Sequence, residues 1–219
     1  MKKVYILSMF IFSLCLCGCI GCMPTNHKGT VDDEVVADDP QDDAVMEKNT
    51  HLKFKGVPID GTKELFVTRM RRKGFKHIDR RDGVDILQGD FAGYNECYIY
   101  VSTLENQDLV SRISVRFPDR DQWKYLYGNY KGLKQMLTEK YGKPYECTEK
   151  FSRYSLEDDN SRMLDVKLGN CKYISCFKAD NGNISLWIEN DDMSSCYVVL
   201  SYTDKVNGDV IIQQAKNDL

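Results

Sequence analysis

The feature that most limits how this chain can fold is a helical stripe near its middle, where Trp123, Leu126, Tyr130, Leu133, Leu137 and Tyr141 advance in steps of three and four. That spacing puts apolar groups on one face of an α-helix. Asp119 and Asp121 precede the stripe as cap candidates, and Gly142 and Pro144 end it: glycine accepts the left-handed conformation past a helix end, and proline cannot continue the helix. A second, shorter helix is expected over Thr62 to Lys73, with Asp60, Gly61 and Thr62 before it, Leu65, Phe66 and Met70 at helical spacing, and Gly74 as its stop.

The remaining patterns read as strands. Between the helices they cover Val84 to Phe91, Glu96 to Leu104 and Leu109 to Phe117. The last alternates Ile113, Val115 and Phe117 against Arg112, Ser114 and Arg116, which predicts a half-exposed strand. After the central helix come Tyr145 to Leu156, Met163 to Lys178 with a break near Gly169 and Asn170, Asn183 to Glu189, and Ser195 to Thr203. Asp180-Asn181-Gly182-Asn183 is the strongest hairpin turn in the chain. The expected fold is therefore α+β: an antiparallel sheet of about six to eight strands with two main helices on one face, arranged as two related α-β-β-β units sharing the sheet.

The start of the chain gives an address. Met1-Lys2-Lys3, an apolar run of thirteen residues from Val4 to Leu16, and Leu16-Cys17-Gly18-Cys19 have the charge, length and small residues of a lipoprotein signal peptide. The run is too short to span a bilayer, which takes about 20 apolar residues. Residues 1–18 are expected to be removed and Cys19 to receive the lipid, with Cys22 the next possible site. Cys17, Cys19 and Cys22 also have the look of a metal tract, yet they lack a neighbouring histidine or carboxylate. No metal and no cofactor are expected.

Loss of Lys2 and Lys3 lowers 30 basic residues to 28 against 33 acidic ones, a formal charge of −5. Bulk charge thus argues against nucleic acid. Residues 19–50 form an expected tether: few large apolar groups, with Asp32, Asp33, Glu34, Asp38, Asp39, Asp42 and Asp43 around Pro40. Such composition does not offset the entropy of ordering, and about 30 flexible residues reach on the order of 30 Å. Those carboxylates lack the alternation and turn glycine of a calcium loop. The globular domain is expected over 51–205, followed by a tail at 206–219.

Cysteines give one disulfide candidate. If Asp158 to Ser161 turn the chain between two strands, Cys147 falls opposite Cys171 or Lys172. Pairing across Asp180 to Asn183 puts Cys176 opposite Trp187, and the next turn puts Trp187 opposite Cys196, which holds those two cysteines about 9.6 Å apart, beyond bridging range.

Catalytic patterns are sparse. Of three histidines, His27 and His51 fall in or at the end of the tether, leaving His77 for the domain. Cys97 and His77 are the one thiol and base pair available, although Cys97 sits in an alternating strand with no motif around it. Gly89-Asp90-Phe91-Ala92-Gly93-Tyr94 lacks the following helix of a phosphate loop, and the carboxylate pairs Asp158-Asp159 and Asp191-Asp192 suit turns. One cluster stands out: Arg69, Arg71, Arg72, Lys73, Lys76, Arg80 and Arg81, with His77 among them, put seven fixed cations in thirteen residues opposed only by Asp79. Cations suit a helix C-terminus and equally an anion site for headgroups, phosphates, an acidic partner or the chain's own acidic tether. The thirteen tyrosines, among them Tyr94, Tyr98, Tyr100, Tyr125, Tyr127 and Tyr130, suit cross-strand pairing or a binding face.

Leu52 to Thr62 (Leu-Lys-Phe-Lys-Gly-Val-Pro-Ile-Asp-Gly-Thr) and Leu137 to Pro144 (Leu-Thr-Glu-Lys-Tyr-Gly-Lys-Pro), with the lipobox and acidic tether, resemble secreted lipoproteins of gut Bacteroidales. The repeated helix-plus-strand units are similar in architecture to β-lactamase-inhibitor-protein-like modules, which implies protein contacts without catalysis. The expected function is a non-catalytic cell-envelope lipoprotein, held to the outer membrane by its lipid, that binds an envelope protein or an anionic lipid or glycan through the 69–81 cations or exposed tyrosines. The alternatives are a small hydrolase or thiol enzyme using Cys97 and His77, and a structural spacer without a ligand.

Overall fold

The computed structural model describes residues 51–104, 107–151, 156–191 and 194–209. Residues 1–50, on which the expected signal peptide, Cys19, Cys22, His27 and the expected acidic tether fall, lie outside them, as do Asp192 and residues 210–219. Among the described residues no helix is long and apolar enough to cross a membrane.

The chain opens with a small hairpin, β1 (Lys53–Phe54) and β2 (Val57–Pro58), turned by Lys55 and Gly56 at φ 52° and 80°. α1 (Lys63–Arg72) follows, its first turn capped by Thr62 Oγ1, which accepts from the Leu65 amide at 3.3 Å. Gly74, at φ 93°, stops it and turns the chain into β3 (Lys76–Arg81). A meander continues through β4 (Val84–Phe91), β5 (Tyr94–Thr103) and β6 (Val110–Arg116). α2 (Trp123–Tyr141) then carries the chain to β7 (Glu146–Phe151). After α3 (Asp159–Lys167), a second meander runs β8 (Cys171–Ala179), β9 (Gly182–Asp191), β10 (Ser195–Asp204), and residues 205–209 are helical.

One eight-stranded antiparallel sheet results, in the order β3-β4-β5-β6-β10-β9-β8-β7. The order reads as two meanders back to back, each led by a helix and joined where β6 pairs with β10. The halves are thus α-β-β-β-β, one strand longer than expected. The extra strand in the first half is β3, whose Lys-His-Ile-Asp-Arg-Arg carries no alternation because it is an exposed edge. In the second half, Met163 to Leu168 belong to α3 and the loop after it, so the strand expected from Met163 begins only at Cys171. Met163 and Val166 are buried against the sheet while Leu164 and Leu168 are exposed, a helical pattern that over six residues mimics alternation.

Both helices lie on one face. Phe66 and Met70 of α1 and Trp123, Leu126, Tyr130, Leu133 and Leu137 of α2 join one core with Leu87, Ile99, Ile113, Val115, Phe177, Leu186 and Leu200. Aromatic rings close both ends: Phe54 packs against Phe75, Phe91 and Tyr202, and Trp123 against Tyr127, Phe151 and Tyr173. The α2 N-terminus is capped at a distance: Asp159 of α3 accepts from the Trp123 and Lys124 amides at 3.1 and 2.7 Å, whereas Asp119 instead pairs with Arg116.

His51 lies in the domain, whose expected start is residue 51, and Asn207 belongs to it rather than to the expected tail. Asp204, fully buried, accepts from the Leu52 amide (2.6 Å) and the Asn207 amide (2.9 Å) and bonds His51 Nδ1 (3.2 Å). Asn207 Nδ2 in turn donates to the Ile59 and Val110 carbonyls. This knot ties the start of the domain to the end of β10.

Candidate functional site

The sequence-expected sites fare differently. The cations expected at a helix end lie at the α1 C-terminus and along β3, a strand the sequence did not signal, and Arg80 and Arg81 are engaged. Arg80 Nε donates to Asp85 at 2.9 Å, beside His77 Nε2 at 2.7 Å, and Arg81 bonds Asp79 at 2.5 Å. Asp85 is fully buried. Burial acts to raise its pKa, and the Arg80 and His77 bonds more than offset this, holding the carboxyl below its ordinary range. Arg69, Arg71, Arg72, Lys73 and Lys76 have no acidic partner among the described residues.

His77 and Cys97 are not brought together. β4 lies between them, His77 facing Leu87 and Cys97 facing Gly89, so their Cα atoms stand roughly 10 Å or more apart. The imidazole is turned to Asp85. The Cys97 thiol is fully buried against the Tyr94 and Phe91 carbonyls, and burial pushes its pKa up to about 11. That is the environment of a packed thiol rather than of a nucleophile.

Among the described residues all five cysteines are free thiols. The Cys147–Cys171 disulfide is corrected: Cys147 faces Ser175 and Cys171 faces Phe151, four residues apart along the ladder, roughly 13 Å. The expected turn at Asp158 to Ser161 is instead the start of α3, which moves the register. Cys176 and Cys196 are kept apart as expected, since β9 runs between their strands. The register differs, however, with Cys176 opposite Ser185 and Cys196 opposite Asn190. Of the carboxylate pairs, Asp158 and Asp159 serve as caps of α3 and α2, and Asp191 binds Arg116 and the Tyr197 hydroxyl. No group of three metal-ligating side chains occurs among the described residues. Two depressions of about 330 and 320 Å³ lie beside Lys63 and Arg80 and beside Tyr130 and Lys134; neither is lined by histidine or cysteine.

The sheet face opposite the helices carries the feature that sequence reasoning missed. Cross-strand register sets Gln88, Tyr98, Arg116, Val199, Trp187, Ile174 and Thr148 in one row across seven strands, β4 to β7. At its centre the Arg116 guanidinium lies 3.7 Å over the Tyr197 ring. Its two terminal nitrogens reach Asp191 (2.7 Å) and Asp119 (2.9 Å). The Tyr197 hydroxyl donates to Asp191 at 2.6 Å, and Trp187 Nε1 donates to Glu189 at 3.0 Å. A parallel row places Ile86, Tyr100, Ser114, Ser201, Ser185, Cys176 and Glu146 beside it. Tyr98 is 38 % exposed, while Tyr100, Trp187, Ile86 and Ile174 are half-buried. No described helix packs on this face.

The other tyrosines divide. Tyr94 packs edge-on to Phe117, Tyr127 stacks on Trp123, and Tyr130 is buried with its hydroxyl 2.7 Å from Ser175 Oγ. Tyr125 is exposed on α2. The alternation of Tyr98 and Tyr100 with Ile99 and Val101 was the one legible sign of the row. Its assembly depends on six registers that no single segment encodes.

No protein-family model, curated protein or solved structure matches this chain.

Proposed function

We propose that this chain is a non-catalytic lipoprotein of the cell envelope that binds a protein partner on the helix-free face of its sheet. The observation that carries the reading is the row Tyr98, Arg116, Trp187 and Ile174, with buried Val199 between Arg116 and Trp187, on a face no described helix covers. A solvated antiparallel face is ordinarily polar, whereas tryptophan, tyrosine and arginine are the residues enriched at the energetic centres of protein interfaces. Arg116 is already fixed by Tyr197, Asp119 and Asp191, so little rotamer entropy remains to be lost when a partner docks. A lipid on Cys19 and the acidic tether would hold this face within reach of an envelope protein.

The test is affinity recovery of the full chain from cells after crosslinking, beside a Tyr98→Ser, Trp187→Ser variant. Wild type should recover a specific envelope protein that the variant loses by about tenfold or more, since interface anchors cost 2 kcal/mol or above when truncated. Equal recovery from both would overturn the reading.

One observation favours a second contact. Arg69, Arg71, Arg72, Lys73 and Lys76, without acidic partners among the described residues, fit anionic headgroups at about 1 kcal/mol per cation. In a Cys19→Ser, Cys22→Ser chain, which takes no lipid, serine at all five should abolish co-sedimentation with phosphatidylglycerol vesicles, and phosphatidylcholine vesicles should sediment neither chain. Unchanged sedimentation would restrict these cations to their role at the helix end.

A further inference from the structure

The two ends of the sheet are finished differently. β3 is blunted: its ladder with β4 is interrupted between His77 and Asp79, leaving Ile78 as the extra residue, and Lys76, Arg80 and Arg81 are exposed along it. Bulges and charges are the devices that keep an edge from pairing with another chain. β7 carries no bulge and no proline. All six of its residues, Glu146 to Phe151, pair with β8 in unbroken register, and β8 is the only strand that pairs with β7 among the described residues. Among the described residues no strand pairs with its outer backbone donors and acceptors, which form a regular edge.

The side chains on that edge are complementary to themselves. Set antiparallel to a second copy about Thr148, the strand places Glu146 opposite Lys150 of the other chain and Lys150 opposite its Glu146. Both pairs lie on the helix-free face, since Glu146 and Lys150 face Cys176 and Lys172. On the helix face Cys147 falls opposite the second Glu149. Lys134, which donates to Cys147 Sγ at 3.2 Å and pairs with Glu149, then meets a carboxylate from each chain. A shift by two residues one way puts Glu149 opposite its own copy, and a shift the other way leaves Lys150 without an acid; of these three registers the Thr148-centred one gives both Glu146 and Lys150 an opposite charge.

We infer that β7 is the seam of a two-fold dimer of this chain, joining two sheets into one of sixteen strands with Thr148 facing Thr148 on the axis. The contact is isologous and closes on itself, so it stops at two copies; the blunted β3 at each outer end prevents further addition. Thr148 also ends the row that runs from Gln88 through Tyr98, Arg116 and Trp187. Dimerisation therefore makes that row continuous across both copies.

The register is read by disulfide trapping of the full chain in cells with a mild oxidant, in a Cys22→Ser, Cys147→Ser background. Thr148→Cys should give a covalent dimer on a non-reducing gel, while the parent and Glu146→Cys should not, because position 146 lies about 13 Å from its own copy. Adding Lys150→Glu should reduce the trapped dimer about tenfold, and Glu146→Lys together with Lys150→Glu should restore it. Native mass spectrometry of the unsubstituted full chain in detergent should find pairs of chains. Single chains there, no dimer specific to Thr148→Cys, or a dimer indifferent to Lys150→Glu would each overturn the proposal.

Discussion

Replacing Asp204 with alanine removes the acceptor at the knot between the start of the domain and the end of β10. Two buried amides, Leu52 and Asn207, lose their only side-chain partner, at 2.6 and 2.9 Å. Each buried donor left without a partner costs about 1–3 kcal/mol, so the loss is about 2–6 kcal/mol. His51, half-buried, keeps its contact with Asp60 and adds little. A domain of this size commonly has about 5–15 kcal/mol in all, so the variant keeps its fold but with much reduced margin. Urea unfolding followed by tryptophan fluorescence should show the midpoint falling at unchanged slope, and Tm should fall by roughly 5–20 °C. Amide exchange adds a local reading: Leu52 should exchange far faster, while Ile188 at the sheet centre changes only with global stability. Asp204→Asn, which retains one acceptor oxygen, should fall between the two. A loss under about 1 kcal/mol for alanine, or equal exchange at Leu52, would refute the claim that this carboxylate fastens the domain's two ends.

Three other outcomes follow from the same geometry. Asp85 has its folded pKa lowered by Arg80 and His77, so its contribution is present above the unfolded carboxyl range, near pH 4, and is lost as pH falls through the lower folded value; Asp85→Asn should flatten the acid limb of stability below about pH 4, and an unchanged acid limb would contradict the assignment. Native alkylation at pH 8 should label Cys147, which is exposed, and spare Cys97 and Cys171, whose pKa values burial pushes up to about 11 and 12; rapid labelling of Cys97 by peptide mapping would reopen a thiol mechanism. Gly182→Ala sets a Cβ 2.3 Å from the Thr203 carbonyl oxygen and 2.9 Å from Leu52 Cδ2, so β9 and β10 must separate, at a cost of about 1–3 kcal/mol or more by urea unfolding.

What could be read from the sequence was whatever has a period within one segment. α2 is found from Trp123 to Tyr141 and β4 from Val84 to Phe91, because a stripe or an alternation backed by a stop residue is local information. β3 had no such signal: as a solvated edge it is polar on both faces. α3 was misread because Met163 and Val166 at its buried face, with Leu164 and Leu168 outside, look much like a strand over six residues. That error moved the β7–β8 register and with it the Cys147–Cys171 pairing. The cationic corner was legible as a count of residues but not as free charge, since Asp85 is four residues beyond the cluster and joins it only through the β3–β4 hairpin. The aromatic row was hidden for the same reason on a larger scale: Tyr98 and Trp187 are 89 positions apart in the chain, and only the β6–β10 pairing puts them on one face.

The most direct measurement places a photo-crosslinking residue at Trp187, in the full chain and in cells, beside the same residue at Tyr125 on the exposed side of α2. The helix-free face as a binding surface predicts one discrete adduct with an envelope protein from position 187 and none from position 125. Adducts from position 125 alone, or from neither, would contradict it.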